Sequence, residues 1–241
     1  MGASLRFTAQ AALGEPLMTV TAAEGYAIWS DRYDADPNPL LALETRVLLP
    51  HLGDLARKTV IDAATGTGRW MSIASAKGAY AFGIDSSPRM LATAARKAAL
   101  GGRLIQGDLR ALPFQSGFAD LAICSFALSY LPFAAGAFGE LARVSRRVIV
   151  SDMHASAMLK GWTRSFHSEG KTWNIDHYYH PPADLEQTAR AAGMKLEWTI
   201  EACFDMPELI HFEAAGKRLL FEEVARTPAL FAASWIREEC A

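Results

Sequence analysis

Short apolar runs alternate with longer stretches rich in Ala, Leu, Lys and Arg through the middle of the chain. Thr59-Val-Ile-Asp62, Tyr80-Ala-Phe-Gly-Ile84, Arg103-Leu-Ile-Gln106, Leu121-Ala-Ile-Cys-Ser125 and Val148-Ile-Val150 have the length and composition of strands. Between them, 69–77, 88–97 and 133–144 suit helices, and Ser86-Ser87-Pro88 offers a capping side chain followed by a proline in the first turn. That alternation favours a parallel sheet with helices on both faces. The expected fold is α/β, a Rossmann-like, doubly wound, mostly parallel seven-stranded sheet. Trp162 to Phe166 and Lys171 to Tyr179 read as two strands joined around Glu169-Gly170, a β-hairpin inserted after strand five and before a helix over 183–192. Two last strands are expected near 195–201 and 229–235.

Composition narrows the class. The 241 residues are 51% hydrophobic and 21% charged, which is ordinary for a globular protein. A net charge of -2 without any run of Lys or Arg disfavours a nucleic-acid partner. The apolar stretches are too short to cross a bilayer, and Met1 to Leu13 lacks the pattern of a signal peptide, so a cytoplasmic protein without membrane insertion is expected. Cys124, Cys203 and Cys240 are widely spaced and suggest neither a disulfide nor a zinc framework; Cys124, inside an apolar run, reads as a small buried residue. No linker-like stretch divides the chain, which reads as one domain over 1–241.

The chemistry concentrates at the strand ends. A glycine-rich turn between a first strand and its helix lets a ligand approach bare backbone, where the helix N-terminus favours a carboxylate or another electronegative group. A dinucleotide would use the same turn and an acid at the end of the second strand, so Asp85 fits a nicotinamide cofactor as well. Asp108, at the end of the third strand, and Asp62, inside the first turn, are what a dinucleotide site leaves unexplained. A lone Asp at such a place is as readily a turn or helix cap; three at consecutive strand ends point to a ligand.

Val60-Ile-Asp-Ala-Ala-Thr-Gly-Thr-Gly-Arg69, Gly83-Ile-Asp-Ser-Ser-Pro-Arg-Met-Leu91, Gly107-Asp-Leu-Arg-Ala-Leu-Pro-Phe114 and Phe118-Ala-Asp-Leu-Ala-Ile-Cys-Ser125 resemble, in order and spacing, the four motifs of class I S-adenosylmethionine (SAM) dependent methyltransferases. The similarity runs from about Tyr26 to His154 and is nearest to the broad branch holding the ubiquinone and menaquinone C-methyltransferases. It implies SAM as cofactor, S-adenosylhomocysteine as product, and a small-molecule acceptor. It puts the turn holding Asp62, Ala63, Ala64, Thr65, Gly66 and Gly68 beneath the methionine part, Asp85 on the ribose hydroxyls with Ser86 and Met90 nearby, and Gly107, Asp108 and Leu109 about the adenine. Ser125 would lie beside the sulfonium, and Tyr26, Trp29 and Tyr33 would close over the cofactor. On this reading 20–57 is an N-terminal helical cap, 58–154 the cofactor-binding core, 155–182 an acceptor-side insertion and 183–241 a C-terminal helix and strands. Ala64 departs from the family pattern, which has glycine there, and requires a backbone conformation that an L-residue tolerates.

Acceptor contacts are expected after strands four and five and in the insertion, because ligands bind at the strand C-terminal edge. Tyr130 is one. Four of the six histidines fall between His154 and His180, among Trp162, Phe166, Trp173, Tyr178 and Tyr179. On a strand, Trp173, Ile175, His177 and Tyr179 share a face that either roofs an apolar acceptor or packs on the domain body. His177 and His180, three apart, point to opposite faces and cannot chelate together, so no metal is expected. His154 and His177 are the candidate proton acceptors, His154 by its place after strand five; for His154 a plain loop histidine is the competing reading. Two rival functions remain: a nicotinamide-dependent oxidoreductase, which lacks a Tyr-x-x-x-Lys pair in a suitable place, and a non-catalytic SAM-binding partner protein.

Overall fold

The computed structural model describes residues 5–7, 17–97 and 103–238; Cys240 and most of the 1–13 segment lie outside them. Strands β1 (Leu5–Phe7) and β2 (Leu17–Val20) precede helices α1 (Ala22–Trp29) and α2 (Pro39–Leu48). The expected alternation follows: β3 (Thr59–Ala63), α3 (Arg69–Ala76), β4 (Tyr80–Asp85), α4 (Pro88–Ala95), β5 (Leu104–Gln106), β6 (Ala119–Ser125), α5 (Ala135–Val144) and β7 (Ser145–Met153). After it come α6 (Ala155–Leu159), β8 (Ser165–Ser168), β9 (Lys171–Ile175), β10 (His177–Tyr179), α7 (Pro182–Ala191), β11 (Met194–Ala202), α8 (Met206–Ala214), α9 (Arg218–Val224) and β12 (Leu230–Arg237).

The main sheet has seven strands in the order β11-β12-β7-β6-β3-β4-β5. Strands β3 to β7 are parallel, and β12 runs antiparallel between β7 and β11. Central strands of such a sheet are covered on both faces and must be apolar throughout. Ile61, Ala122, Cys124, Val148 and Val150 face one layer with Phe138 and Trp235, while Val60, Leu121, Ile123 and Ile149 face the other with Trp70 and Met71. Burial pushes the Cys124 thiol well above its usual range, so it packs as a neutral side chain. The chain builds outward from β3 to β5, then returns to place β6 on the other side of β3. That reversal leaves a crevice at the carboxyl ends of β3 and β6.

Three expectations need correction. The segment read as one strand over 171–179 is two, because after β9 the backbone changes partners: β9 pairs with β8 and β2, and β10 pairs with β1. The preceding strand starts at Ser165, not Trp162, because Trp162 N–H still bonds back to Ala157 at the end of α6. The turn is as expected, with Glu169 at φ 54° and Gly170 at φ 69°, the left-handed pair that a tight hairpin requires. Finally, 203–229 holds two helices the periodicity did not announce. A signal was present: Asp205 and Glu208 form a capping box around the start of α8, next to Pro207. Among the described residues no helix is long and apolar enough to cross a membrane.

One buried ion pair ties the N-terminal helices to this sheet. Glu44, on α2, is fully buried and accepts from the Arg69 guanidinium, the Ser151 hydroxyl and the Trp70 indole. Arg69 also reaches Thr45 Oγ1 at 2.7 Å and Ser125 Oγ at 3.2 Å. Removing one member of such a pair strands the other charge away from water. Arg69→Met is therefore expected to destabilise the protein by about 3 kcal/mol in urea unfolding, and adding Glu44→Gln to recover part of the loss. A single-variant loss well under 1 kcal/mol would mean that water compensates Glu44.

Candidate functional site

The crevice opens into a cavity of about 380 Å³, a volume typical of small-molecule sites. Its floor is made by the strand ends: Asp62 and 64–67 after β3, Ile84 to Ser87 after β4, Gly107 to Arg110 after β5, and Ser125 to Ala127 after β6. Thr21, Ala22, Ala23, Tyr26 and Tyr33 close it from the N-terminal segment, and Arg69, Trp70, Met90, Tyr130 and Leu131 complete the lining.

The glycine turn is held by the two acids it brings together. Asp62 is 2% exposed; its Oδ2 accepts the Thr65 hydroxyl at 2.7 Å and Met71 N–H at 2.8 Å, and burial pushes its carboxyl up to about 6. Asp85 Oδ2 accepts Gly66 N–H at 2.8 Å and its Oδ1 accepts Ser87 N–H at 2.8 Å. Burial raises Asp85 while those amide bonds pull it down. Gly66 lies at φ 54°, and a Cβ there would meet nothing within 4 Å, so its bare backbone faces open space that a ligand can enter. Asp108 is half-exposed and clamped by Arg110, whose Nε and Nη2 reach it at 2.9 and 2.5 Å; that hydrogen bond holds its carboxyl below the usual range.

Ala64 adopts φ 62° and Phe126 φ 50°, left-handed backbone that costs a residue with a Cβ about 1–2 kcal/mol. Both line the cavity. Strain of this kind persists where the surroundings over-determine the backbone; here Phe126 N–H is bonded to Ser151 O at 2.8 Å.

Above the floor, Tyr26 and Tyr130 share a hydroxyl–hydroxyl bond of 2.6 Å, and Trp29 stacks on Phe166 at 4.7 Å. Burial raises the Tyr26 and Tyr130 phenols and lifts Tyr33 to about 12, so all three are neutral hydrogen-bonding groups near pH 7. The loop carrying Tyr33 is pinned to the glycine turn: Asp34 accepts the Thr67 hydroxyl at 2.6 Å and lies 2.9 Å from Lys97 Nζ.

Of the site residues expected from sequence, Tyr26, Tyr33, Asp62, Ala64, Thr65, Gly66, Asp85, Ser86, Met90, Gly107, Asp108, Leu109, Ser125 and Tyr130 line this one cavity. Ala63, Gly68 and Trp29 do not; Ala63 is buried in the sheet, Gly68 caps α3 and Trp29 packs between Tyr26 and Phe166. The structure does not bring His154, His177, Trp173 or Tyr179 there either. His154 caps α6, with Nδ1 accepting Ser156 N–H at 3.0 Å, and borders a second, small cavity together with Tyr179. His177 is fully buried, bonded to Ile175 O at 3.1 Å, and burial lowers its pKa. Trp173 Nε1 donates to Ser168 O within the hairpin. Thr67, inside the expected turn, lines the cavity as well, whereas sequence reasoning missed Arg69, Arg110 and Phe126; of these only Arg69, next to the glycine turn, carried a positional hint. Among the described residues no three His, Cys, Asp or Glu side chains gather as a metal site.

Residues 60–147 match the family model described as a methyltransferase domain. A demethylmenaquinone methyltransferase of Thermus thermophilus is 40% identical over 94 residues, 37% of this chain and 43% of that protein, so the chain spans less than half the length of the curated relative it matches. Among solved structures, an S-adenosylmethionine dependent methyltransferase from Mesorhizobium loti superposes with TM-score 0.64 at 22% identity, covering 83% of this chain and all of the other. A [4+2]-cyclase superposes with TM-score 0.62 at 15% identity over 94% of this chain and 99% of its own. The chain has the class I methyltransferase fold, and the same fold carries other chemistry, so activity has to be argued from the site.

Replacing Ala64 by Gly should relieve the left-handed backbone and, after the entropy that Gly loses on folding, raise stability by about 0.5–1 kcal/mol. An unchanged or lower urea midpoint would show that the Ala64 methyl contributes packing that outweighs the strain.

Proposed function

We propose that the chain binds SAM and transfers its methyl group to a small-molecule acceptor, releasing S-adenosylhomocysteine. One observation carries this reading: Asp62, Asp85 and Asp108, from three successive strand ends, line a single cavity with the open Gly66 backbone, in a segment that matches the methyltransferase-domain model. The donor set suits the molecule. Asp85 uses one lone pair of each oxygen on backbone N–H groups, which leaves acceptors for two ribose hydroxyls. Both bonds to Asp62 land on Oδ2, and we assign Oδ1 to the ammonium of the methionine part. Gly107, Asp108 and Leu109 are assigned to the adenine and Ser125 to the sulfonium end.

SAM supplies an electrophilic methyl group on a sulfonium, and displacement at that carbon requires chiefly that the acceptor be held in line and water kept away. Phe126, Leu131 and the phenol pair Tyr26–Tyr130 are suited to that exclusion. In this reading neither His154 nor His177 removes a proton, since neither lines the cavity. The proposal keeps 20–57 as the cap over the cofactor and treats 1–241 as one working domain.

Calorimetry with chelator present is expected to show binding of SAM and S-adenosylhomocysteine and none of NAD; affinity for NAD alone would sink the assignment. Asp85→Ala should weaken SAM binding by about 1.5–3 kcal/mol. Unchanged affinity in the folded variant would remove Asp85 from the ribose.

Affinity should also depend on pH through Asp62. The ammonium favours the ionised carboxylate, so binding is full above about 6 and weakens as pH falls through that value. Asp62→Asn should flatten the profile at a lower affinity. A wild-type profile level from pH 5 to 8 would separate Asp62 from the ammonium.

A further inference from the structure

Just behind the cavity wall lies a buried cation whose carboxylate neighbour, Asp152, is too far away to accept its hydrogen bonds. Arg164, between α6 and β8, is 9% exposed, and its guanidinium sits over the Phe126 ring, 4.1 Å from the centroid. Phe126 lines the cavity, and Tyr26, Tyr33 and Tyr130, all within electrostatic reach of Arg164, line it too. Nε and Nη2 of Arg164 are buried and bond to nothing. These two nitrogens form one edge of the guanidinium, a fork of parallel N–H donors that matches the two oxygens of a carboxylate.

The nearest carboxylate does not fill it. Asp152, at the end of β7, stays 3.8 Å from Nη2, and its oxygens are taken by Met153 N–H at 2.8 Å and Ser129 N–H at 3.2 Å. Ser129 contributes a second orphan: it is 1% exposed and its hydroxyl also lacks a partner. Buried polar atoms are almost always paired, so donors left open on both sides of Asp152 mark a place where a polar group belongs.

We propose that Arg164 anchors a carboxylate carried by the methyl acceptor, making the substrate an organic acid whose reacting atom lies toward Ser125. The proposal rests on the methyltransferase reading. On this proposal the acid parts the Tyr26–Tyr130 hydroxyl pair on its way to the fork, exchanging a neutral hydrogen bond for charge-assisted ones that are roughly twice as strong. An acid also gains from the neutral phenols, which donate to an anionic oxygen without repelling it.

A metabolite extract split by anion exchange at pH 8 into retained acids and unretained neutrals, each incubated with methyl-labelled SAM, tests this. The wild-type protein is expected to label products from the retained fraction only. Arg164→Met should cut that labelling by about a hundredfold, and Arg164→Lys, which keeps the charge without the fork, by about tenfold. Affinity of both variants for S-adenosylhomocysteine, measured by calorimetry, should stay within about twofold of wild type. Label from the neutral fraction alone, label from neither fraction by a protein that binds S-adenosylhomocysteine, or undiminished labelling by Arg164→Met would overturn the anchor. Where Arg164→Met does not fold, the fractions and Arg164→Lys still decide. Failure of the wild type to bind S-adenosylhomocysteine would instead overturn the methyltransferase reading.

Discussion

The turn after β3 hangs on one buried carboxylate. Asp62 gathers the Thr65 hydroxyl and the Met71 N–H, one of the free donors in the first turn of α3, onto a single oxygen and so ties the tight reversal from strand to helix. Because the turn is held from below, its upper side stays bare, with Gly66 open and Ala64 kept in a conformation it would not choose alone. Asp85 then stitches the next strand end to the same turn through Gly66. Two acids from neighbouring strands thus build one rigid rim, and the carboxyl of Asp62 bears the cost of burial as a raised pKa.

The N-terminal segment is fastened to that rim by polar contacts at separate points. Glu44 reaches into the sheet to meet Arg69, Trp70 and Ser151, while Asp34 takes the Thr67 hydroxyl and the Lys97 ammonium at the edge of the cavity. The first contact is buried and holds α2 in place. The second is partly exposed, where solvent weakens ion pairs. Between them, α1 leans on aromatic stacking and on the one hydroxyl bond from Tyr26 to Tyr130. Such an arrangement suits a cover that lets a ligand pass without loosening the sheet.

What stands opposite the rim is chemically different. The floor is acidic and made of backbone turns, whereas the far wall is three phenols and a phenyl ring backed by a guanidinium. Histidine is absent from the lining despite its concentration between 154 and 180. The reason lies in the chain path: after β7 the backbone caps α6 with His154 and then leaves the main sheet for strands that pair with β1 and β2, which carries His177 into packing.

The sequence by itself determined the sheet and the rim, because both are local. Apolar runs such as Thr59–Ala63 and Ala119–Ser125 must be central strands, and an acid or glycine directly after a strand has to lie at its carboxyl edge wherever the strand is placed. Fourteen of the expected site residues meet in one cavity for that reason. The capping box at Asp205 and Glu208 was equally local and went unread. Only the tertiary structure decided the wall and the fate of the histidines. Whether 171–179 stays one strand depends on which distant segments, 5–7 and 17–20, come to pair with it. Arg164 is one arginine among many along the chain until folding buries it against Phe126, with Nε and Nη2 left without a hydrogen bond. Periodicity reports which face of an element is apolar, but it carries no information on which remote side chain that face will meet.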